Sequence, residues 1–513
     1  MVLIIDGESL RLEDIIKVAV EKESIELSSI SKEKVEVSRE YVNKIIENNE
    51  VVYGVTTGFG KFCNVNISSQ DTRDLQVNLI RSHSAGVGEY LSEDAVRAMM
   101  LLRANALAKG YSGIRYSTLQ TLIDMLNKGV IPRVPSQGSL GASGDLVPLA
   151  HMVLVMIGEG EALYRGRVMP GKEAMQLAGI MPVTLEAKEG LALINGTQAM
   201  TAIGSLALAE AINLSRIADI SAALTFEALN GVIDAFDENV NLVRPHKGQI
   251  ECARNMRKLL EGSQFVTHQG NPKVQDAYTL RCIPQVHGAV RDALEHIKEI
   301  VEIEMNSATD NPLIFPESDV VISGGNFHGE PIAINMDYMG IAVSELASIA
   351  ERRIERLVNP SLNEGLPAFL VDNGGLNSGL MIAQYTAASL VSENKTLATP
   401  ASVDSIPSSA NQEDHVSMGT IAARKARRIV ENTRNVLAIE LLCAAQAIDL
   451  RAQNKEVSLN LGNGTKTAYG IIRQNVAKIS HDRIISRDMY KIAKTISNKE
   501  FIKKVEDKIS QLV

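Results

Sequence analysis

The stretch Gly138-Ser139-Leu140-Gly141-Ala142-Ser143-Gly144-Asp145-Leu146 sets three glycines and two serines between two apolar segments. Glycine reaches backbone dihedrals that other residues resist, so the run turns tightly, and a turn between two helices is its plainest reading. Three familiar alternatives fail. A nucleophile elbow needs glycine two residues to either side of the serine, and Asp145 stands where the second glycine belongs. A phosphate loop needs Gly-Lys-Ser/Thr, and no lysine is present; the dinucleotide fingerprint spacing is also missing.

A fourth reading concerns the backbone. In Ala142-Ser143-Gly144 the Gly144 nitrogen can attack the Ala142 carbonyl carbon and close a five-membered ring, because glycine is the least hindered attacking residue. Loss of water from the ring, and of the Ser143 hydroxyl, leaves an exocyclic methylene. That group is a strong electrophile, which no ordinary side chain supplies. Asp145 is adjacent and suited to assist the dehydrations.

Bulk properties narrow the class. The 513 residues exceed one compact domain, and 45% hydrophobic with 22% charged residues is normal for a soluble globular chain. A net charge of −9 argues against a nucleic-acid partner. With 4% aromatics and no tryptophan, the core must be aliphatic. Cys63, Cys252, Cys282 and Cys443 form no C-x-x-C pair, so free thiols in a reducing cytoplasm are expected. The apolar start lacks a basic leader, and no apolar run is long enough to span a membrane.

Helical periodicity dominates. Ala95, Met99, Leu102 and Ala106 share one helix face, and Gly110-Tyr111-Ser112-Gly113 interrupts that pattern before it resumes toward Lys128. Val290, Leu294, Ile297 and Val301 form a second stripe, and a further helix is expected over Ile332 to Leu357. Leu3 to Ile5 reads as a strand, and Pro132 and Pro135 lead an extended segment into the glycine-rich run. Ser405 to Met418 reads as a loop, and the plainest reading of Glu413-Asp414-His415 within it is the capped start of a helix, since no partner motif supports a metal site.

Gly138 to His151, GSLGASGDLVPLAH, resembles the signature of the aromatic amino-acid ammonia-lyases, and the likeness runs from about Leu10 to about Arg451. In that family the Ala-Ser-Gly triplet cyclises to 4-methylidene-imidazol-5-one (MIO), so the resemblance implies that Ala142, Ser143 and Gly144 form the prosthetic group, with no external cofactor and no metal. It also implies a mainly α fold, with a central bundle of long helices and a smaller N-terminal domain bearing the prosthetic-group loop. The corresponding domains are 1–200 and 201–513.

The same resemblance assigns further residues. Tyr53, in VVYGVTTGFGKF, matches the catalytic base. A free tyrosine has a pKa of about 10, so this role needs nearby positive charge or dipoles. His83 is placed beside the substrate ring, Asn195 against the prosthetic group, and Phe327 in the pocket. Arg281 becomes the clamp for the substrate carboxylate, a task its planar fork suits, with Gln275 and Tyr278 alongside. Gln412-Glu413-Asp414-His415 matches the histidine-acting form of the family, with Glu413 facing the substrate, where phenylalanine-acting members carry glutamine. Thr56 and Thr399 depart from residues often found in the family. The implied activity is non-oxidative deamination of L-histidine to trans-urocanate and ammonia, the first step of histidine degradation. A tyrosine-acting lyase, an aminomutase or an inactive helical scaffold are the alternatives. The implied assembly is a homotetramer with shared active sites, binding a small amino acid and neither nucleic acid nor membrane.

Overall fold

A computed structural model describes residues 2–48, 50–58, 72–455 and 460–513. Gly60, Phe62 and Cys63 lie outside the described residues. The chain is mainly helical, as its periodicities require. Long helices run over Gln198–Ala228, Ile283–Met305, Glu330–Val358 and Gly419–Lys455. The stripe of Val290, Leu294, Ile297 and Val301 lies within the second of these, and all four side chains are buried. Strands are short: Val2–Ile5 pairs in parallel with Ser24–Leu27, and Val87–Tyr90 pairs antiparallel with Pro135–Gln137. No described helix is long and apolar enough to cross a membrane.

The chain divides into two compact units. The first comprises Met1–Ala209, Ile297–Asp337 and Pro400–Arg427. Its core is the Glu93–Ala108 helix, in which every residue from Ala95 to Ala108 is buried. A helix enclosed on all sides must satisfy each polar group internally. Arg97 does so by donating to Val18 O at 2.9 and 3.1 Å and to Leu126 O at 3.1 Å, carbonyls in the last turns of two neighbouring helices. Such carbonyls have no partner within their own helix, so one cation ties three helices together. The expected break is present: the helix ends at Ala108 and the next begins at Tyr116, with Gly110 and Gly113 at φ +80° and +66°.

The second unit comprises Glu210–His296, Tyr338–Thr399 and Arg428–Val513. It is aliphatic around two buried ionic groups. Arg353 donates to both oxygens of Glu440, which also accepts from the Thr225 hydroxyl at 3.0 Å. Asp219 accepts from Arg291, from Asn255 Nδ2 at 2.9 Å and from the Cys252 thiol at 3.2 Å, with His287 Nδ1 at 2.8 Å. Asp219, Cys252 and His287 converge within 4.8 Å, as metal ligands can. Arg291 already supplies the positive charge that Asp219 requires.

The Glu413 segment is a loop, as expected for Ser405 to Met418, and not the capped helix start that its acids alone suggest. The helix begins only at Gly419. Ser409, Ala410 and Asn411 take φ values of 51°, 53° and 65°, and the chain doubles back so that Ser408 N donates to Glu413 O at 2.8 Å. Residues 412–415 are therefore a loop held by backbone pairing rather than the first turn of a helix.

Candidate active site

The glycine-rich run closes on itself. Gly141 and Gly144 adopt φ of +77° and +69°, and bridge contacts join Gly141 to Gly144, Ala142 to Gly144 and Gly144 to Gly196. A β-carbon on Gly144 would collide with the Gly196 carbonyl, and one on Gly141 with the Ser417 hydroxyl. Only glycine fits either place. Ala142 packs with Val416 and Met418, which brings the chain just beyond Glu413 against the triplet. The Met418 and Ser417 amides donate to Leu140 O and Gly141 O at 3.2 and 3.4 Å.

Asp145 fixes the start of the helix that follows, Leu146–Met156. Its carboxyl is fully buried and accepts from Ser139 Oγ at 2.9 Å, from Met200 N at 2.7 Å and from the Thr420 hydroxyl. Met200 lies in the first turn of Gln198–Ala228 and Thr420 in the first turn of Gly419–Lys455. Asp145, itself the residue before one helix, therefore ties the starts of two others to it beside the triplet, where helix dipoles favour negative charge. Burial pushes its pKa up, and the three donors offset this only in part.

Ser143 donates to Asn195 Oδ1 at 2.8 Å. Asn195 ends the short Glu189–Ile194 helix and is buried. Its side-chain nitrogen donates to Asn311 O at 3.0 Å, and its carbonyl accepts from the buried Arg103 guanidinium at 2.8 Å. Desolvation lowers the Arg103 pKa to about 10, opposed by the charge of Asp310. Asp310 pairs with fully buried Lys188 at 2.8 Å. This scaffold of Arg103, Lys188, Asp310 and Asn311 went unread in the sequence. Lys188 beside the apolar run that ends at Asn195 was the available signal, because a lysine there must find a charge partner.

The other expected site residues fall as follows. Tyr53 is half-buried in a bend closed by Thr56, whose hydroxyl donates to Glu50 O at 2.7 Å and accepts from Val52 N at 2.9 Å. Thr56 therefore builds the tyrosine's turn. Phe327 is half-buried in a loop tied to Asn311, which accepts from Gly324 N at 2.7 Å. His83 ends the Thr72–His83 helix. Burial lowers its pKa, opposed by the Leu79 backbone and the Glu413 carboxylate, so His83 and Glu413 lie within electrostatic reach. Glu413 is half-buried and accepts from Ser408 Oγ at 3.1 Å.

Gln275, Tyr278 and Arg281 belong to the second unit. Gln275 and Tyr278 are exposed, and the Arg281 guanidinium stacks on the Tyr278 ring with its carbon 4.6 Å from the centroid. Arg281 Nε is buried without a partner. Stacking orients the fork and leaves its N–H groups available to an anion.

A mainly helical fold carries an Ala-Ser-Gly turn that closes on itself and is locked by close contacts at Gly141 and Gly144. The chain belongs to the aromatic amino acid lyase family, which matches residues 10–474. It is 62% identical over 504 residues to the histidine ammonia-lyase of Alkaliphilus oremlandii, covering 98% of each chain. A histidine ammonia-lyase structure from Trypanosoma cruzi aligns with a TM-score of 0.92 at 43% identity, covering 100% of this chain and 96% of that one. A tyrosine aminomutase from Streptomyces globisporus aligns at 0.95 with 41% identity, covering 100% of both. Two activities on one backbone mean that fold alone does not select the substrate.

Proposed function

We propose that this chain is a histidine ammonia-lyase, converting L-histidine to trans-urocanate and ammonia. The observation that carries the reading is the Ser143–Asn195 hydrogen bond in a turn that admits only glycine at 144. The 62% identity to a histidine ammonia-lyase and the loop Gln412-Glu413-Asp414-His415 favour histidine over tyrosine.

The triplet suits the MIO group: Ala142 and Gly144 already approach one another, Gly144 lacks the side chain that would obstruct closure, and Asn195 Oδ1 orients the hydroxyl to be lost. When formed, the group would supply an electrophile that activates the substrate for loss of ammonia, through its amine or through its ring. Asp145 holds the turn in place through the three helix starts. Tyr53 takes the β-proton, a step that needs hydrogen-bond reach to that carbon's proton. Arg281 grips the carboxylate, and such positioning is worth up to about 7–11 kcal/mol in ideal cases. His83 and Glu413 read the imidazole or steady the amine, because a half-buried carboxylate gains from an N–H donor that a phenyl ring lacks. Asn195, Gln275, Tyr278 and Phe327 complete the pocket. In this reading the enzyme is a cytoplasmic homotetramer with shared active sites.

The test is product analysis with L-histidine, L-tyrosine and L-phenylalanine offered separately. Urocanate from histidine, with little product from the others, is expected. Coumarate or a β-amino acid as the main product overturns the substrate assignment.

A further inference from the structure

His151 closes the motif GSLGASGDLVPLAH and lies on the Leu146–Met156 helix, whose first residue follows Asp145. Its Nε2 accepts a hydrogen bond from Gly86 N at 3.0 Å. Gly86 stands three residues beyond His83, after a tight turn in which Ala85 N donates to His83 O at 2.9 Å. The same glycine is confined on its other sides. A β-carbon there would stand 3.0 Å from Pro135 Cβ and 3.1 Å from His151 Nε2, and one on Gly138 would stand 3.3 Å from Gly86 Cα. The next residue, Val87, pairs with Gln137, directly before the glycine-rich run.

The helix that begins at the triplet thus reaches back to hold the segment that ends in His83. We infer that His151 is a positioning residue that sets the distance between His83 and the Ala142-Ser143-Gly144 turn, through the hydrogen bond it accepts from Gly86. The inference rests on the proposed role of His83 in reading the substrate ring.

The chemistry sets a requirement on the imidazole. Accepting from an amide demands a bare Nε2, so the ring must be neutral and carry its proton on Nδ1. Burial lowers the His151 pKa, which agrees with a neutral ring. Glutamine can offer an acceptor oxygen near the place of Nε2, whereas leucine fills the space without one. Loss of the bond releases the His83 segment while Asp145 and its three helix starts remain in place. The defect should therefore appear in substrate binding rather than in formation of the electrophile.

The test compares His151→Leu and His151→Gln with wild type for KM and kcat on L-histidine, and for the intact mass of the triplet. The expected result for His151→Leu is a KM raised about three- to tenfold, the equivalent of one neutral hydrogen bond, with kcat changed less and the mass deficit of two waters retained. His151→Gln should restore most of the KM. An unchanged KM, a fall in kcat alone, or a glutamine variant no better than leucine overturns the inference. If His151→Leu fails to fold, His151→Asn, polar but too short to reach Gly86, takes its place under the same criteria. A wild type that makes no urocanate defeats the proposed activity instead. In that case the contact is read from hydrogen exchange at the Gly86 amide, which should quicken in His151→Leu and not in His151→Gln; equal rates overturn the contact.

Discussion

Ser143 and Asn195 stand 52 residues apart in the chain and meet through a 2.8 Å hydrogen bond from hydroxyl to side-chain oxygen. The other end of the same amide is spent on Asn311 O at 3.0 Å. Asn195 is therefore a fixed strut, with one end on Asn311 and the other on the Ser143 hydroxyl. Asn195→Ala would leave Asn311 O without its donor, at a cost of about 1–3 kcal/mol for the buried group stranded, and the uncyclised Ser143 hydroxyl without its acceptor. The expected outcome is a lower Tm and an incomplete mass deficit at the triplet, read by thermal denaturation and intact mass spectrometry.

Gly144→Ala tests the turn itself. The substitution puts a β-carbon at φ +69° and drives it into the Gly196 carbonyl. The left-handed conformation alone costs about 1–2 kcal/mol, and the collision adds to it. Mass spectrometry should find the full, undehydrated mass, and urocanate formation should be lost.

Glu440→Gln probes the buried pair in the second unit, where Glu440 and Arg353 are both fully shielded from solvent. Removing the charge from one partner leaves the Arg353 cation buried and uncompensated, which costs about 3–5 kcal/mol. A clear fall in Tm is expected, and a Tm equal to wild type would contradict the assignment of this pair as the charge balance of the unit.

Asp219 predicts a dependence on acid. Burial alone would raise its pKa, but Arg291 and His287 hold it down at about 2, against an ordinary value of 3.8. A folded pKa below the unfolded one means that the carboxylate's contribution is complete above about pH 4 and is lost as pH falls toward 2. The difference amounts to about 2 kcal/mol. Chemical denaturation from pH 5 to pH 2 should show this loss in wild type, and a flatter profile in Asp219→Asn.

The helices were legible because their apolar positions recur at helical spacing, as at Val290, Leu294, Ile297 and Val301, and because Gly110 and Gly113 marked the interruption. The tight turn at the triplet was legible because glycine reaches backbone dihedrals that other residues resist, as Gly141 and Gly144 do at φ +77° and +69°. The scaffold beneath it was not. Arg103, Lys188 and Asp310 are distant in sequence; beyond the hint of Lys188 beside an apolar run, only the fold reveals that Lys188 pairs with Asp310 and that buried Arg103 donates to Asn195 O. The Glu413 loop was legible as a loop, while the helix start its acids suggest was not borne out. Acids before an apolar run suit a helix start, but pairing of Ser408 with Glu413 outweighs that local preference. His151 carried no signal of its own, because a lone histidine on an apolar helix is most simply a packed side chain.

The most direct test of the central claim is urocanate absorbance with purified wild type and Ser143→Ala side by side on L-histidine, with the intact mass of each. Urocanate and a deficit of two waters are expected in the wild type, and loss of both in Ser143→Ala. A Ser143→Ala protein that makes urocanate at the wild-type rate, or an active wild type with its full unmodified mass, would contradict that claim.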